Sequence, residues 1–477
     1  MKTLRLLCFG GMALFLSACA TVPKLPRNPH APAPSAPSLP KGMRPTELWP
    51  RYQWWKALHD PVLDRWVARA LADNPSLHAA AARVLAAQAV VGVTNARRLP
   101  HFDAGLSFTQ QYFSAQGLHL SANGTSNFFT ELNPIQIRYH IDLWGQDQAL
   151  VRAARGDAQM VAANLAQARL LLSTAVVLHY VALMGDEALQ QKEEQVFQVL
   201  HQNLRLSRTA YAAGIGNAQG FLQARRGLAT TAARLATLKA DCATQRHALA
   251  ELAGEGPGTA QPKRIPPPFP LLPDARLPAD LPLGLLAHCP DIIAARWAME
   301  AAAARVHAAR AAFYPDLNLR LLAGWNSIDL GDLFQPGNFA HAVGPVLTLP
   351  IFEGGALRSR LRGENALFLA TQEQYRARIL SDLRQVADIL SAWEKLRGQR
   401  QAAREALAAA RRQLGLAQGA WRSGIGTRLP YLQQQIGYLR ARQAIIQLKT
   451  ASLQNWALLE SALGGGYFQK VRNRHGH

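Results

Sequence analysis

Gln136, Arg138, His140 and Asp142 occupy alternate positions in the stretch IQIRYHID, with Ile135, Ile137, Tyr139 and Ile141 between them. A guanidinium, an imidazole and a carboxylate in one line could move protons, hold an anion or contribute to a metal site. Period-two spacing makes the stretch a β-strand with all its chemistry on one face and its apolar side chains on the other. Asn318 and Arg320 repeat the arrangement between Leu317, Leu319 and Leu321. Nothing else in the chain turns these residues into a catalytic set. There is no G-x-G-x-x-G, P-loop, H-E-x-x-H or G-x-S-x-G motif. The 14 histidines are scattered without metal-ligand spacing or a partnering cysteine pair. The expectation is no enzyme, no metal and no cofactor: the polar face meets water, and something apolar must cover the isoleucines.

The bulk numbers narrow the setting. A chain of 477 residues, 49% hydrophobic and 17% charged, is too apolar for disorder and too interrupted for a polytopic helical membrane protein. Its formal charge of +21 suits nucleic acid, an anionic membrane surface or anionic ligands without choosing among them. The N-terminus chooses a compartment. Lys2 and Arg5 precede an apolar run, Leu6 to Leu16, too short to span a bilayer, and LSAC follows, ending at Cys19. That is a secretory signal. It also resembles the bacterial lipobox, which implies cleavage after residue 18 and a lipid on Cys19, with Ala20 next in line pointing to the outer membrane. Several acyl chains hold where one would not, at about 0.8 kcal/mol per buried CH₂. Export argues against nucleic acid. Only Cys242 and Cys289 remain beyond the anchor, and their spacing leaves open whether they pair.

The strands are set in a sequence written twice. Pro-rich extended stretches run from Val22 to Pro50 and from Gly254 to Pro282, and similar text follows each. Asn74-Pro75 and Cys289-Pro290 lie 215 apart, as do the helix-ending Pro100 and Pro315. Gly216 and Gly426, and Gly254 and Gly464, lie 210 apart. The organisation read from this duplication is a signal peptide (1–18), a lipidated Pro-rich lead (19–59), a first repeat (60–253), a Pro-rich linker (254–282), a second repeat (283–464) and a basic tail (465–477). Each repeat reads helix, strand, strand, very long helix, turn, long helix. Asp60-Pro61 and Asn74-Pro75 put a capping residue before Pro at a first helical position. No proline falls between Pro134 and Pro257, so a helix is expected from about Gly145 to Ala212, roughly 100 Å long at 1.5 Å per residue. Ile379, Leu383, Val386, Leu390 and Trp393 step by 4 and 3. Their expected counterparts at an offset of 208 are Leu171, Ala175, Leu178, Ala182 and Gly185, a coiled-coil rhythm that favours a supercoiled tube.

Four strands are expected, two per repeat: from Phe102, through residues 135–142, from Asp316, and through Val343 and Leu347. At about 10 residues each, with alternating polarity, they match a transmembrane barrel whose apolar side faces lipid. Gln136, Arg138, His140, Asp142, Asn318 and Arg320 then face the lumen. Four strands cannot close a barrel, and an open edge in lipid is prohibitive. Three chains would supply twelve.

With lipobox, Pro-rich lead, duplication and hairpins in place, the sequence resembles the outer-membrane factor family of bacterial efflux systems, the TolC- and OprM-like channels, in its NodT-type lipoprotein branch. GPVLTLPIFEGGALRSRL from Gly344 and IDLWGQDQALVRAA from Ile141 look like the family's strand-to-helix segments. The resemblance implies a mainly α fold with a transmembrane β part. It implies a homotrimer with a 12-stranded β-barrel and a long periplasmic α-helical barrel, lipid-anchored in the outer membrane. A periplasmic adaptor and an inner-membrane pump are the implied partners. The implied function is a passive exit duct for drugs and other small molecules. The segment from Phe313 to Gly355 resembles the branch associated with efflux of fusaric-acid-type and aromatic acids. By the same resemblance the gate lies at the helix turns, around Gly214, Gly216, Gln223 and Arg225 in one repeat and Gly424, Gly426, Arg428 and Gln433 in the other. Many relatives carry aspartate where this chain has Gln223 and Gln433, so a neutral or basic mouth is expected, favouring anionic cargo. The rival readings are a duct for type I polypeptide secretion and a non-conducting lipid-anchored helical scaffold.

Overall fold

The computed structural model describes residues 44–46, 49–116, 124–258, 276–278 and 281–467. Cys19, the signal segment and most of the lead, linker and tail lie outside them. In chain order the elements are strand β1 (Arg44–Thr46), helices α1 (Pro61–Asp73) and α2 (Pro75–Ala96), strands β2 (His101–Tyr112) and β3 (Ser126–Ile141), and helices α3 (Gln146–Ala212) and α4 (Ala218–Leu252). Then come β4 (Arg276–Pro278), α5 (Leu281–His288), α6 (Pro290–Ala311), β5 (Asp316–Ser327), β6 (Phe339–Thr348), α7 (Ala356–Arg422) and α8 (Arg428–Ala462). The duplication is plain in the lengths: α2 and α6 have 22 residues each, α3 and α7 have 67, and α4 and α8 have 35. Helix starts follow the capping logic. The Asp60 carboxylate accepts from the Val62 and Leu63 amides, and Pro61 fills the first turn.

The chain divides into two compact units, and each repeat contributes to both. The first unit gathers Arg83–Ala162 and Ala294–Arg376. Its centre is an antiparallel sheet in the order β2-β3-β5-β6. The register aligns the greasy positions across it: Phe102, Ile137, Leu321 and Val343 stand side by side, and Ile141, Leu317 and Leu347 form another row. Phe102, Phe108, Val343 and Leu347 are each more than half exposed, so nothing among the described residues covers that face.

β3 is twice as long as the alternating stretch within it suggested, because its phase changes. A bulge between Leu132 and Ile135 inserts one residue relative to both neighbours. Without it, Asn133 and Glu131 would stand on the apolar face. With it, Leu132 pairs with Leu106 and Trp325, and the apolar row continues. Gly324 on β5 makes room: a Cβ there would come 2.1 Å from the Leu132 carbonyl oxygen and 2.8 Å from the Asn133 Cα.

The second unit gathers Pro32–Ala82, Ala163–Ile293 and the segment from Ala377 onward. Its core joins Trp54, Trp55, Leu63 and Val67 to Val176, Tyr180 and Met184 of α3, Leu249 of α4 and Trp456 of α8. Two extended pieces of the Pro-rich stretches, β1 and β4, pair in parallel within it. Leu383, Val386 and Leu390 of α7 are buried, as the heptad rhythm requires. The first-repeat seam is displaced by two residues from its expected place. α3 and α7 start at 146 and 356, so the true offset is 210, and the counterparts are Ser173, Val176 and Tyr180, all buried. Leu171 is 53% exposed instead. Cys242 and Cys289 are both buried and unpaired.

Candidate functional site

The polar face of the sheet belongs wholly to the first unit. Register places Arg138 opposite both His101 and Arg320, His140 opposite Asn318, and Gln136 opposite Asp103. The five strand residues read from sequence therefore share one face. Asp142 does not: it lies just past β3, and its carboxylate accepts from the Gln148 amide at 2.8 Å in the first turn of α3. Its role is to cap that helix.

Two of the cations on this face, Arg138 and His140, come with partners. Arg138 donates to Asp103 at 2.6 Å. The His140 ring is held at both nitrogens, Nδ1 lying 2.5 Å from Asp147 and Nε2 2.7 Å from Asp316. His140 thus ties the end of β3 to the start of α3 and the start of β5, and Asn318 donates to the same Asp316. Trp144 stacks on Tyr314 and donates to the Pro315 carbonyl beside this junction. Asp103, Asp147 and Asp316 were absent from the sequence-level set, because nothing local shows that a carboxylate 35 or 176 residues away will arrive at the same spot. Arg320 is exposed.

The helix tips belong to the second unit, and the two repeats build them alike. α3 ends at a left-handed Gly214 (φ 73°) and α7 at Gly424 (φ 74°). The Ala210 carbonyl then accepts from the Ile215 and Gly216 amides, and the Ala420 carbonyl from Ile425 and Gly426. Only the first glycine of each pair needs the left-handed conformation; Gly216 and Gly426 do not adopt it. Stacked rings brace both turns, Tyr211 on Phe221 and Trp421 on Tyr431. Arg428 lies 5.4 Å over Trp421 and donates to Gln202 at 3.1 Å. Gln223, Arg225 and Gln433 are exposed on the opening turns of α4 and α8.

A wider pattern surrounds these tips. No Asp or Glu occurs from Gln195 to Ala240 or from Ala406 to Leu459. The same spans carry six and seven Lys or Arg residues, and all except Arg440 are exposed. The stretches of four helices that flank the two turns therefore form a cationic sleeve. Reading only the turn itself found Arg225 and Arg428; the spacing of the missing acids would have found the rest.

The chain as a whole has known counterparts. The family model described as Outer membrane efflux protein matches residues 66–255 and 281–465, both repeats. The chain belongs to the outer membrane efflux protein family. Among curated relatives, the fusaric acid resistance protein FusA of Burkholderia cepacia is 33% identical over 67% of this chain, a match spanning 60% of that protein. The multidrug resistance outer membrane protein MdtP of Escherichia coli is 28% identical over 88% of this chain and 87% of that one. The crystal structure of VceC from Vibrio cholerae superposes with a TM-score of 0.77 at 30% identity, covering 88% of this chain and all of that one. The Campylobacter jejuni CmeC outer membrane channel shares the fold, with a TM-score of 0.82 at 21% identity. This member of the outer membrane efflux protein family is thus an outer-membrane channel component of an efflux system, mainly helical with a β part.

Proposed function

We propose that three copies of this chain pool their sheets into a twelve-stranded barrel and serve as a passive exit duct, loaded by an inner-membrane pump through a periplasmic adaptor. The observation that carries this reading is the four-stranded sheet. Its edge strands β2 and β6 each pair on one side only among the described residues, and its outer face is a continuous apolar surface. Lipid removes the cost of that surface, and copies of the chain satisfy the two edges. A lipid on Cys19 would anchor each copy in the outer membrane.

The cargo we infer is small organic molecules, with anions preferred. The cationic sleeve supports this more strongly than the strand face does. Arg138 and His140 are neutralised by Asp103, Asp147 and Asp316, whereas in the sleeve only Arg440 is paired, with Glu193, and the other twelve cations are exposed in spans that hold no acid. Purified protein in detergent should run as a trimer and give conducting pores in planar bilayers. Reversal potentials in a salt gradient should show anion preference. A non-conducting monomer would remove the duct; a conducting but cation-selective trimer would remove only the cargo.

A further inference from the structure

The two repeats differ sharply at one matched place in the second unit. In the first repeat, Asn74 precedes α2; its side chain donates to the Leu252 carbonyl and accepts from the Leu77 amide. Asn74, Ser76, Ala168 and Leu172 there line a cavity of about 470 Å³. The counterparts in the second repeat are Cys289, Asp291, Arg378 and Asp382. Cys289 takes over Asn74's contact, its thiol donating to the Ala462 carbonyl at 3.5 Å. The remaining space is filled with charge.

The Cys289 sulfur and one carboxylate oxygen each from Asp291 and Asp382 all lie within 4.8 Å of one another. Cys289 is 4% exposed and Asp382 5% exposed. Among the described residues no donor group reaches the buried Asp382 Oδ2, an expensive state for an ionised carboxylate oxygen. Arg378 reaches in from the side, bonded to Asp291 and with its Nε 3.2 Å from the other Asp382 oxygen. Its side chain is 41% exposed on a long stem, so it can swing into water and open a path to the donors.

We propose that Cys289, Asp291 and Asp382 form a binding site for one divalent cation of the Zn²⁺ class, with Arg378 as its resident competitor. A thiolate among the donors selects zinc over magnesium or calcium. Three protein ligands leave a fourth position for water. With Zn–S near 2.3 Å and Zn–O near 2.1 Å, tetrahedral donors stand about 3.5 Å apart, so the side chains need draw together by only about an ångström. On binding, the Cys289 thiol gives up its proton to solvent. Two carboxylates, one thiolate, Arg378 and Zn²⁺ then sum to zero charge.

The test is equilibrium dialysis of the full-length, tag-free protein against ZnCl₂, with metal counted by mass spectrometry. Wild type should hold one more zinc per chain than C289A/D382N, a comparison that subtracts metal held by His475 and His477 of the tail. R378Q should bind zinc more tightly, because a competitor is gone; an Arg378 with only a structural role would leave affinity unchanged or lower. Loading with Co²⁺ should give a thiolate-to-metal charge-transfer band that is lost in C289A. Equal zinc in wild type and double variant overturns the site, whether or not the variants fold as well as wild type, provided wild type holds none in excess. So does a cobalt band that survives C289A.

Discussion

Glu193 is 1% exposed on α3 and is met from α8 by two residues. Arg440 grips its two oxygens at 2.8 and 3.1 Å, and Gln443 donates to it at 2.6 Å. Removing one partner of such a pair strands a buried charge, which costs about 3–5 kcal/mol. R440A should lose that much in denaturant unfolding followed by far-UV circular dichroism. R440A/E193Q should recover a good part of it, since the charge then goes as well. Glu460 carries a different signature. Burial lifts its carboxyl to about 7, above the 4.5 it would have unfolded. The folded state therefore binds the extra proton across that interval. Stability falls as pH rises from about 4.5 to 7 and is level beyond it. E460Q should flatten this part of a Tm-against-pH curve and raise Tm at pH 8.

The bulge in β3 makes a sharper demand on its neighbours than any single side chain. A Cβ on Gly324 collides with backbone, which cannot move aside as a flexible side chain can. G324V should break the β3–β5 pairing above the bulge and sharply reduce heat-resistant oligomer on gels. V343I, on the open apolar face, should leave assembly intact. The same bulge explains what the sequence revealed of the strands. Residues 135–142 alternate cleanly and were legible. Residues 126–134 alternate in the opposite phase, so no single alternation runs the length of the strand. Helix starts and ends were legible because prolines and left-handed glycines mark them, Pro75, Pro290, Gly214 and Gly424 among them. The α3 seam was misplaced because a heptad rhythm fits a second register two residues away almost as well in an Ala- and Leu-rich helix. Only burial separates Val176 from Leu178. The polar face was legible as a face, but its ion pairs were not: Asp103 and Asp316 reach Arg138 and His140 through strand pairing, which no local spacing records.

At the scale of the whole molecule, the net charge of +21 is unevenly spread, and its location tells more than its size. The strand face is neutralised nearly pair by pair, while the sleeve holds thirteen cations and no acid in two spans totalling 100 residues. The proposed threefold assembly would multiply that imbalance. Fields from exposed charges are screened over about 10 Å at 0.1 M salt and about 30 Å at 0.01 M, so the sleeve should govern permeation most strongly in dilute electrolyte. R225Q/R226Q should reduce anion preference, and R225E/R226E should reduce it further or reverse it. Both effects should be larger at 0.01 M than at 1 M salt. Arg225 and Arg226 suit the experiment because both are exposed, whereas Arg428 also braces Trp421 and Gln202. R138Q/D103N, which deletes a neutral pair from the strand face, supplies the contrast: its selectivity should match wild type at every salt concentration. Equal changes in the two sets of variants would move selectivity from the tips to the sheet.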